Sequence, residues 1–272
     1  KENFQQEMIA LNNQHASEPK MEMDSCKIEV TQNGDILNFQ TQIVATPVQK
    51  SSIFTFTLNP GFQVKAVTMG DISLNYRREK HLLWIEFPKE LTEEETVHFN
   101  LEYEGIADER ICYLDIPEEL LIEQEKFMGT FNVGKRYVYQ SEEYTLLTPE
   151  SYWYPRPGVC YSSENPDWQQ SYFTNFQMNV KPNEGLAVIS QGERTINNDS
   201  LSVSFEPEYP LQSLSLIIGP YKNVSIEVDD IQYSAWYIDG HDFFSEHLTL
   251  LGDTIPSIIR DVKFYYEERV EM

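Results

Sequence analysis

The chain has 272 residues, 40% of them hydrophobic and 13% aromatic, which is enough apolar material for one large β domain or two smaller ones. Its 44 acidic and 20 basic residues give a formal net charge of −24. A surface this negative disfavours nucleic-acid binding and adsorption to an anionic membrane, since both depend on Lys and Arg. The sequence also contains neither a signal-peptide pattern nor an apolar run of the ~18 residues that span a membrane.

The first 26 residues are mostly polar, with Phe4, Met8 and Leu11 as isolated apolar positions. They predict a linker or a short helix, which Pro19 would end. Because the chain does not begin with Met, we expect it to be a soluble piece of a longer protein.

From residue 27 to residue 238, apolar and polar side chains alternate with a period of two. The clearest case is residues 97–103, where every second side chain is apolar. This alternation is typical of half-buried antiparallel strands, and the turn-rich segments between them favour stacked sheets. Further strands are predicted at 37–43, 54–58, 83–87, 176–180, 186–189, 201–205, 214–218, 224–228 and 231–238. The predicted fold is therefore mostly β, an antiparallel multi-sheet sandwich.

Three segments depart from this pattern. Residues 117–128 predict a helical or irregular stretch, and residues 144–168 form a loop rich in Tyr, Trp and Pro. Residues 239–272 change to a helical period: Phe244, His247, Leu248 and Leu251 are spaced as on one helix face, and apolar side chains recur in the same way from 255 to 266. Thr254 is a predicted N-cap for the second run. We therefore expect two C-terminal α-helices after the sheets.

No catalytic or cofactor motif is present in the sequence. A zinc peptidase helix needs two His four residues apart plus a Glu, and no HExxH occurs. His241 and His247 are six residues apart, so they would not share a helix face. GxSxG, GxGxxG and calcium-loop patterns are absent as well. We expect this chain to have no catalytic activity, no cofactor and no stoichiometric zinc.

Three cysteines, Cys26, Cys112 and Cys160, lie far apart without any CxxC pair. A zinc ribbon or a thioredoxin-like site is therefore excluded. Free buried thiols and a single disulfide both remain open.

Five segments carry a common likeness in the same order along the chain. They are Leu83–Phe87 with Val97–Gly105, Leu147–Pro155, Phe176–Gly192, Leu216–Tyr221 and the final helix through Lys263–Glu268. Together they resemble the N-terminal region of the aminopeptidase N family of zinc metallopeptidases. The resemblance spans about residues 30–270, and order and spacing carry it, since no single motif is highly specific.

The resemblance implies a saddle-like, non-catalytic β domain at 27–238 and helices at 239–272 that open a catalytic domain in the same chain. The zinc, the HExxH helix and a GxMEN-type substrate loop would lie beyond Met272. The Trp153-Tyr154-Pro155 sequence is similar to divergent peptidase-like parts of bacterial ABC-transporter permease fusions. That similarity implies a membrane-tethered or extracytoplasmic parent protein.

The resemblance also implies a substrate-binding loop at Glu142–Pro157. The family usually holds the substrate amine with a Gln or Glu about nine residues before the aromatic-Pro motif, where this chain has Leu146. The family's Cys-x-Asp after that motif is also replaced, by Arg-Pro-Gly. Glu143 and Glu150 are the nearest acids, and Tyr152 with Trp153 would form an apolar wall beside a peptide substrate.

A second interpretation makes the chain an extracytoplasmic β-sandwich binding or adhesion module without any peptidase relation. The Tyr-rich loop at 152–168 would then be its contact patch, because Tyr and Trp suit recognition. An HExxH sequence within about 100 residues downstream of this chain would favour the peptidase interpretation. Its absence would favour either a degenerate peptidase or the module.

Overall fold

The computed structural model describes residues 2–114, 136–161, 172–242 and 254–270. The predicted stretch at 117–128, part of the loop at 144–168 and the first predicted C-terminal helix lie outside these ranges. The chain divides into two compact units, one of Lys1–Glu184 with Val188–Ile218, the other of Gly185–Ala187 with Gly219–Met272.

The described elements alternate short turns with extended strands. The helices are α1 (Glu2–His15), α2 (Thr254–Val270) and short 3₁₀ helices at Glu109–Tyr113 and Pro149–Ser151. The strands are β1 (Met21–Asn33), β2 (Ile36–Pro47), β3 (Ser51–Thr57), β4 (Phe62–Met69), β5 (Ile72–Ser73), β6 (Asn75–Glu79), β7 (Leu82–Leu91), β8 (Val97–Gly105), β9 (Val138–Gln140), β10 (Thr145–Leu147), β11 (Arg156–Pro157), β12 (Asn175–Lys181), β13 (Ala187–Ile189), β14 (Glu193–Asn197), β15 (Ser202–Glu206), β16 (Leu216–Gly219), β17 (Tyr221–Val228) and β18 (Ile231–Ile238). The predicted fold class, mostly β with C-terminal helix, is confirmed.

The strands form one large sheet and several small ones. The large sheet has eight strands in the order β14-β15-β12-β1-β2-β8-β4-β5. Two four-stranded sheets have the orders β11-β3-β7-β6 and β13-β16-β10-β9, and β17 pairs with β18 in a hairpin. That hairpin, expected within the β domain at 27–238, belongs to the second compact unit with α2.

Two features of β1 differ from the sequence expectation. It begins at Met21, before the expected boundary at residue 27, because Met21 and Met23 are buried while Glu22 and Asp24 are exposed. It also pairs in parallel with β12, from Ser25 opposite Asn175 onward. Parallel neighbours need a long connection, and the chain from β2 to β11 lies between these two strands.

Aromatic side chains fill the space between the eight-stranded sheet and the β11-β3-β7-β6 sheet. Phe56 and Phe87 of the small sheet contact Phe99 of β8, with ring centroids 5.7 and 5.5 Å apart in edge-to-face geometry. Phe39 stacks on Tyr103 at 4.7 Å in the same core. Such pairs add roughly 0.5–1.5 kcal/mol each to the free energy gained from burial alone.

The N-terminal segment, predicted as a linker or a short helix, forms helix α1. The helix is attached to the β domain by an apolar contact and by buried side-chain hydrogen bonds. Leu11 packs on Leu82 and Trp84 of β7. Beside it, the fully buried Asn12 donates its Nδ2 hydrogen to Cys160 Sγ at 3.3 Å. Its Oδ1 lies 2.6 Å from Nε2 of His81, which is also fully buried. Because an amide oxygen only accepts, Nε2 of His81 carries the proton in this contact.

Burial makes His81 a source of pH-dependent stability. Burial, together with the nearby charges of Arg78 and Lys80, lowers the pKa of His81 from 6.5 to about 3. Between about pH 6.5 and pH 3 the imidazole of His81 is protonated in the unfolded chain but not in the folded chain. Stability that is present above pH 6.5 is therefore lost on acidification. We expect a loss of up to about 1.4 kcal/mol per pH unit between these two pKa values.

Urea unfolding of wild type and His81→Gln at neutral pH and at about pH 4.5 measures this loss. The variant should show a smaller decrease in unfolding free energy than wild type. His98→Gln, on an exposed position of β8, is the matched control and should behave as wild type. Equal pH dependence in wild type and His81→Gln would contradict the expectation.

Candidate functional site

The predicted substrate-binding loop divides into two described parts on either side of β10. The turn between β9 and β10 carries Glu143, and the segment after β10 carries Glu150, Tyr152 and Trp153. Strand β10 pairs with β9 on one side and β16 on the other. Both acids are exposed, one at each end of this short strand.

Two side-chain amides, the buried Gln32 of β1 and the partly buried Asn183 just after β12, hold the turn that carries Glu143. Gln32, 4% exposed, donates its Nε2 hydrogens to the carbonyls of Ser141 at 3.3 Å and Glu142 at 3.2 Å. Asn183 donates to the same Glu142 carbonyl at 2.9 Å. The backbone around Glu143 is therefore attached to β1 while the carboxylate itself points into solvent.

A second amide positions β9. Nε2 of Gln140 donates to the carbonyls of Asp35 at 2.7 Å and Gly105 at 2.9 Å. Its Oε1 accepts the backbone N–H of Ala107 at 3.0 Å. The β9–β10 hairpin is thus bonded to the ends of β2 and β8.

Asn59 anchors the second part of the loop. This fully buried residue donates Nδ2 to the Ser151 carbonyl at 2.7 Å and its backbone N–H to the Tyr152 carbonyl at 2.8 Å. Its Oδ1 accepts the N–H groups of Asp108 at 2.7 Å and Gly61 at 2.9 Å. One side chain therefore joins the turn after β3, the segment after β8 and the candidate loop.

Tyr152 is held in an unusual backbone conformation. Its φ of 50° and ψ of 44° lie in the left-handed region, which non-glycine residues seldom occupy. Its hydroxyl donates to the Cys160 carbonyl at 3.0 Å, and the ring is half-buried with the Arg156 guanidinium 5.6 Å away. The ring of Tyr152 is thereby fixed against the loop, with part of its surface accessible.

Trp153 lies in the core and is fully buried. Its Nε1 donates to the Leu214 carbonyl at 3.1 Å, and its own carbonyl accepts the Tyr103 hydroxyl at 3.2 Å. The indole contacts the rings of Phe39 and Tyr154. Of the two aromatic residues expected to form a wall, Tyr152 has accessible surface and Trp153 packs behind the loop.

The sequence analysis did not predict the anchoring roles of Asn59, Gln32 and Gln140. Gln32 and Gln140 lie on strands, and their partners cannot be identified from the local sequence because those partners are far away along the chain. Polar residues at inward positions of otherwise alternating strands are the signal that could have found them.

The described residues do not fit a metal ion. Nowhere in the described ranges do three or more His, Cys, Asp or Glu side chains converge. His241 is exposed just after β18, and His247 lies outside the described residues. The three cysteines are buried and form no disulfide, and burial raises the pKa of Cys26 to about 12 and of Cys160 to about 11. Neither of these two thiols is a ready metal ligand or nucleophile.

Among the helices that the structure describes, none has both the length and the apolar character that a membrane crossing requires.

Comparison with known proteins gives a fold match alone. No family model matches the chain, and no curated protein does. Among solved structures, the M1 zinc metallopeptidase from Deinococcus radiodurans matches with a TM-score of 0.60 and 13% identity, over 85% of this chain and 50% of that chain. The same enzyme's mutant bound to a Tyr-Ser-Ala substrate matches with a TM-score of 0.60 and 13% identity, over 89% and 52%. A two-domain M1 zinc metallopeptidase mutant bound to L-tryptophan matches with a TM-score of 0.59 and 14% identity, over 85% of this chain and 50% of that chain.

At this level of identity the likeness concerns the fold. The chain spans about half the length of the M1 structures that it matches. Its fold is that of the N-terminal domain of M1 zinc metallopeptidases, so the fold implied by the sequence resemblance is confirmed.

The anchoring of the loop through Asn59 depends on Gly61. A Cβ atom at residue 61 would lie 2.0 Å from the Ile106 carbonyl oxygen and 2.8 Å from the Asp108 nitrogen, both of them backbone atoms. Gly61→Ala should therefore lower the unfolding free energy in urea by about 3 kcal/mol. The control is Gly34→Ala, where the left-handed φ of 63° costs about 1 kcal/mol but no atom lies within 4 Å. Equal losses in the two variants would contradict the anchoring role of the close approach at residue 61.

Proposed function

We propose that this chain is the non-catalytic N-terminal β domain of an aminopeptidase-like zinc metallopeptidase. The observation that carries the proposal is the fold match, which extends over 85–89% of this chain but only about half of each M1 structure. The remaining half of the parent would supply the HExxH helix and the zinc. This chain's own residues would supply shape and charge to the substrate cleft.

The role proposed for residues 142–157 is to bind the free ammonium group of a peptide. An ammonium is attracted by a carboxylate more strongly in a partly desolvated wall than in water. Glu143 and Glu150 are the candidate carboxylates, with the ring of Tyr152 as apolar surface. Leu146, at the position where the family usually has its amine ligand, lies between them in β10.

The anchoring of the loop supports this role. A group that binds a reacting substrate is effective when its backbone is already in place before binding, because little ordering remains to be done. The hydrogen bonds from Gln32, Asn183 and Asn59 provide that order on both sides of β10. The M1 mutant with Tyr-Ser-Ala further supports a peptide as the substrate class.

A fusion of the parent to an ABC-transporter permease, and with it a membrane-tethered location, stays a prediction. The sequence that follows residue 272 in the parent tests it directly. An HExxH helix followed by apolar spans is the expected result. A parent without HExxH would favour a degenerate peptidase or the binding-module interpretation.

Kinetics of a chain extended through the downstream domain test the loop. Glu143→Gln or Glu150→Gln should lower kcat/KM for peptides with a free amine by about tenfold, because the ammonium loses its ion partner. Residual hydrolysis of N-acetylated peptides should be unchanged. Glu142→Gln is the matched control, since Glu142 is also exposed in the same turn. If both variants equal wild type, the loop has a structural role and the site assignment is wrong.

A further inference from the structure

A separate cleft of about 460 Å³ lies on the outer face of the β11-β3-β7-β6 sheet. The residues that matter for its chemistry are Glu18, Pro19, Ile53, Arg77, Trp84 and Glu86. Helix α1 covers one end of this sheet face by packing Leu11 on Leu82 and Trp84. The cleft is therefore the uncovered remainder of a sheet face, and its size falls within the range of small-molecule sites.

Strand register arranges the floor of the cleft in two rows. Thr55, Trp84 and Arg77 lie opposite one another across β3, β7 and β6. Ile53 and Glu86 form the next row, also directly opposite each other. Arg77 and Glu86 are consequently diagonal neighbours, whose backbones in such a position lie roughly 7–8 Å apart. A cationic and an anionic side chain thus face one small volume with an apolar residue beside them.

Arg77 is oriented but not paired. Its guanidinium carbon lies 3.8 Å from the centroid of the Trp84 ring. That ring is itself held, because Nε1 of Trp84 donates to Glu18 and the ring of His15 packs on it edge-on at 4.9 Å. Within the described residues no carboxylate forms an ion pair with Arg77, whereas Lys27, Lys50 and Lys65 all have one. A stacked guanidinium with free donors is suited to bidentate binding of a carboxylate.

The two acids of the cleft differ in availability. Glu18 is occupied, since it accepts hydrogen bonds from Trp84, from Thr55 at 2.8 Å and from Nδ1 of His15 at 2.6 Å. Glu86 is exposed, and its contact in the described chain is a long one of 3.4 Å from Asn75. Glu86 is therefore the acid that can receive a ligand's cationic group.

We propose that this cleft binds a small zwitterion with an apolar group, namely a free α-amino acid or a dipeptide. The ligand's carboxylate is bound by Arg77, its ammonium by Glu86, and its side chain lies on Ile53, which is 43% exposed. A simple carboxylate is a poorer ligand, because a chain with a net charge of −24 repels anions that carry no compensating cation. The proposal stands on the cleft alone and is independent of the function proposed for residues 142–157.

The four Trp side chains of this chain allow a direct binding measurement, because each indole N–H gives its own ¹⁵N-correlated NMR signal. L-leucine and L-leucyl-L-leucine are the zwitterionic probes; 4-methylpentanoate and isopentylamine are analogues that lack the amine or the carboxylate. A zwitterion should shift the Trp84 signal saturably and leave that of the buried Trp153 unchanged. The better of the two zwitterions identifies the ligand as an amino acid or a dipeptide. Each analogue should bind about tenfold more weakly than L-leucine.

Substitutions test which charged group of the ligand Arg77 and Glu86 each bind. Arg77→Gln should weaken the binding of L-leucine and of 4-methylpentanoate by about tenfold. Arg77→Lys should weaken both by less, because lysine keeps the positive charge although its ammonium cannot bind a carboxylate in a bidentate manner. Glu86→Gln should weaken L-leucine and isopentylamine but not 4-methylpentanoate. Glu79→Gln, exposed on neighbouring strand β6, is the control and should bind as wild type. The proposal is overturned if neither zwitterion shifts Trp84 saturably up to about 20 mM, or if Glu86→Gln and Arg77→Gln both bind L-leucine as wild type does.

Discussion

A buried amide must find partners for all its polar atoms, and Asn59 meets this constraint by joining three separate segments of the chain. Leaving such a group unpaired in the core costs about 1–3 kcal/mol. The hydrogen bonds to Ser151, Asp108 and Gly61 therefore do more than stabilise a turn. They determine where the segment after β10 begins, and with it the positions of Glu150 and Tyr152.

Side-chain amides also join segments outside the large sheet to the rest of the β domain at three other places. Gln32 holds the β9–β10 turn, Gln140 holds β9, and Asn12 holds helix α1 to His81 and Cys160. Gln32 and Gln140 each use their Nε2 for two hydrogen bonds and their Oε1 for a third, and Asn12 makes one hydrogen bond through each end of its amide. Loops that would otherwise be free are thereby ordered by the core, and the acidic side chains stand on a fixed backbone.

The sequence pattern predicted those features that depend only on residues close together in the chain, such as the position of a strand. The alternation at 97–103 correctly identified β8, since a half-buried strand needs only its own residues to show which face is buried. The parallel pairing of β1 with β12 and the stacking of Arg77 on Trp84 depend on register between distant strands, which no single segment contains. For the same reason the sequence around Trp153 does not show that its side chain is buried with Tyr103 and Leu214 as hydrogen-bond partners.

The two proposed sites differ in the charges that they complement. In the loop at 142–157 the proposed ligands are the exposed carboxylates of Glu143 and Glu150, so it suits an ammonium whose carboxylate is far away or absent, as at the end of a longer peptide. The cleft presents Arg77 and Glu86 on adjacent rows of one sheet, so it requires both charges within a short span. The negative net charge of the chain weakens the binding of anions. A carboxylate can therefore bind Arg77 at little electrostatic cost only when the same ligand also carries an ammonium group. The distance between the ammonium and the carboxylate of a ligand, rather than its side chain, would then decide which of the two sites it binds.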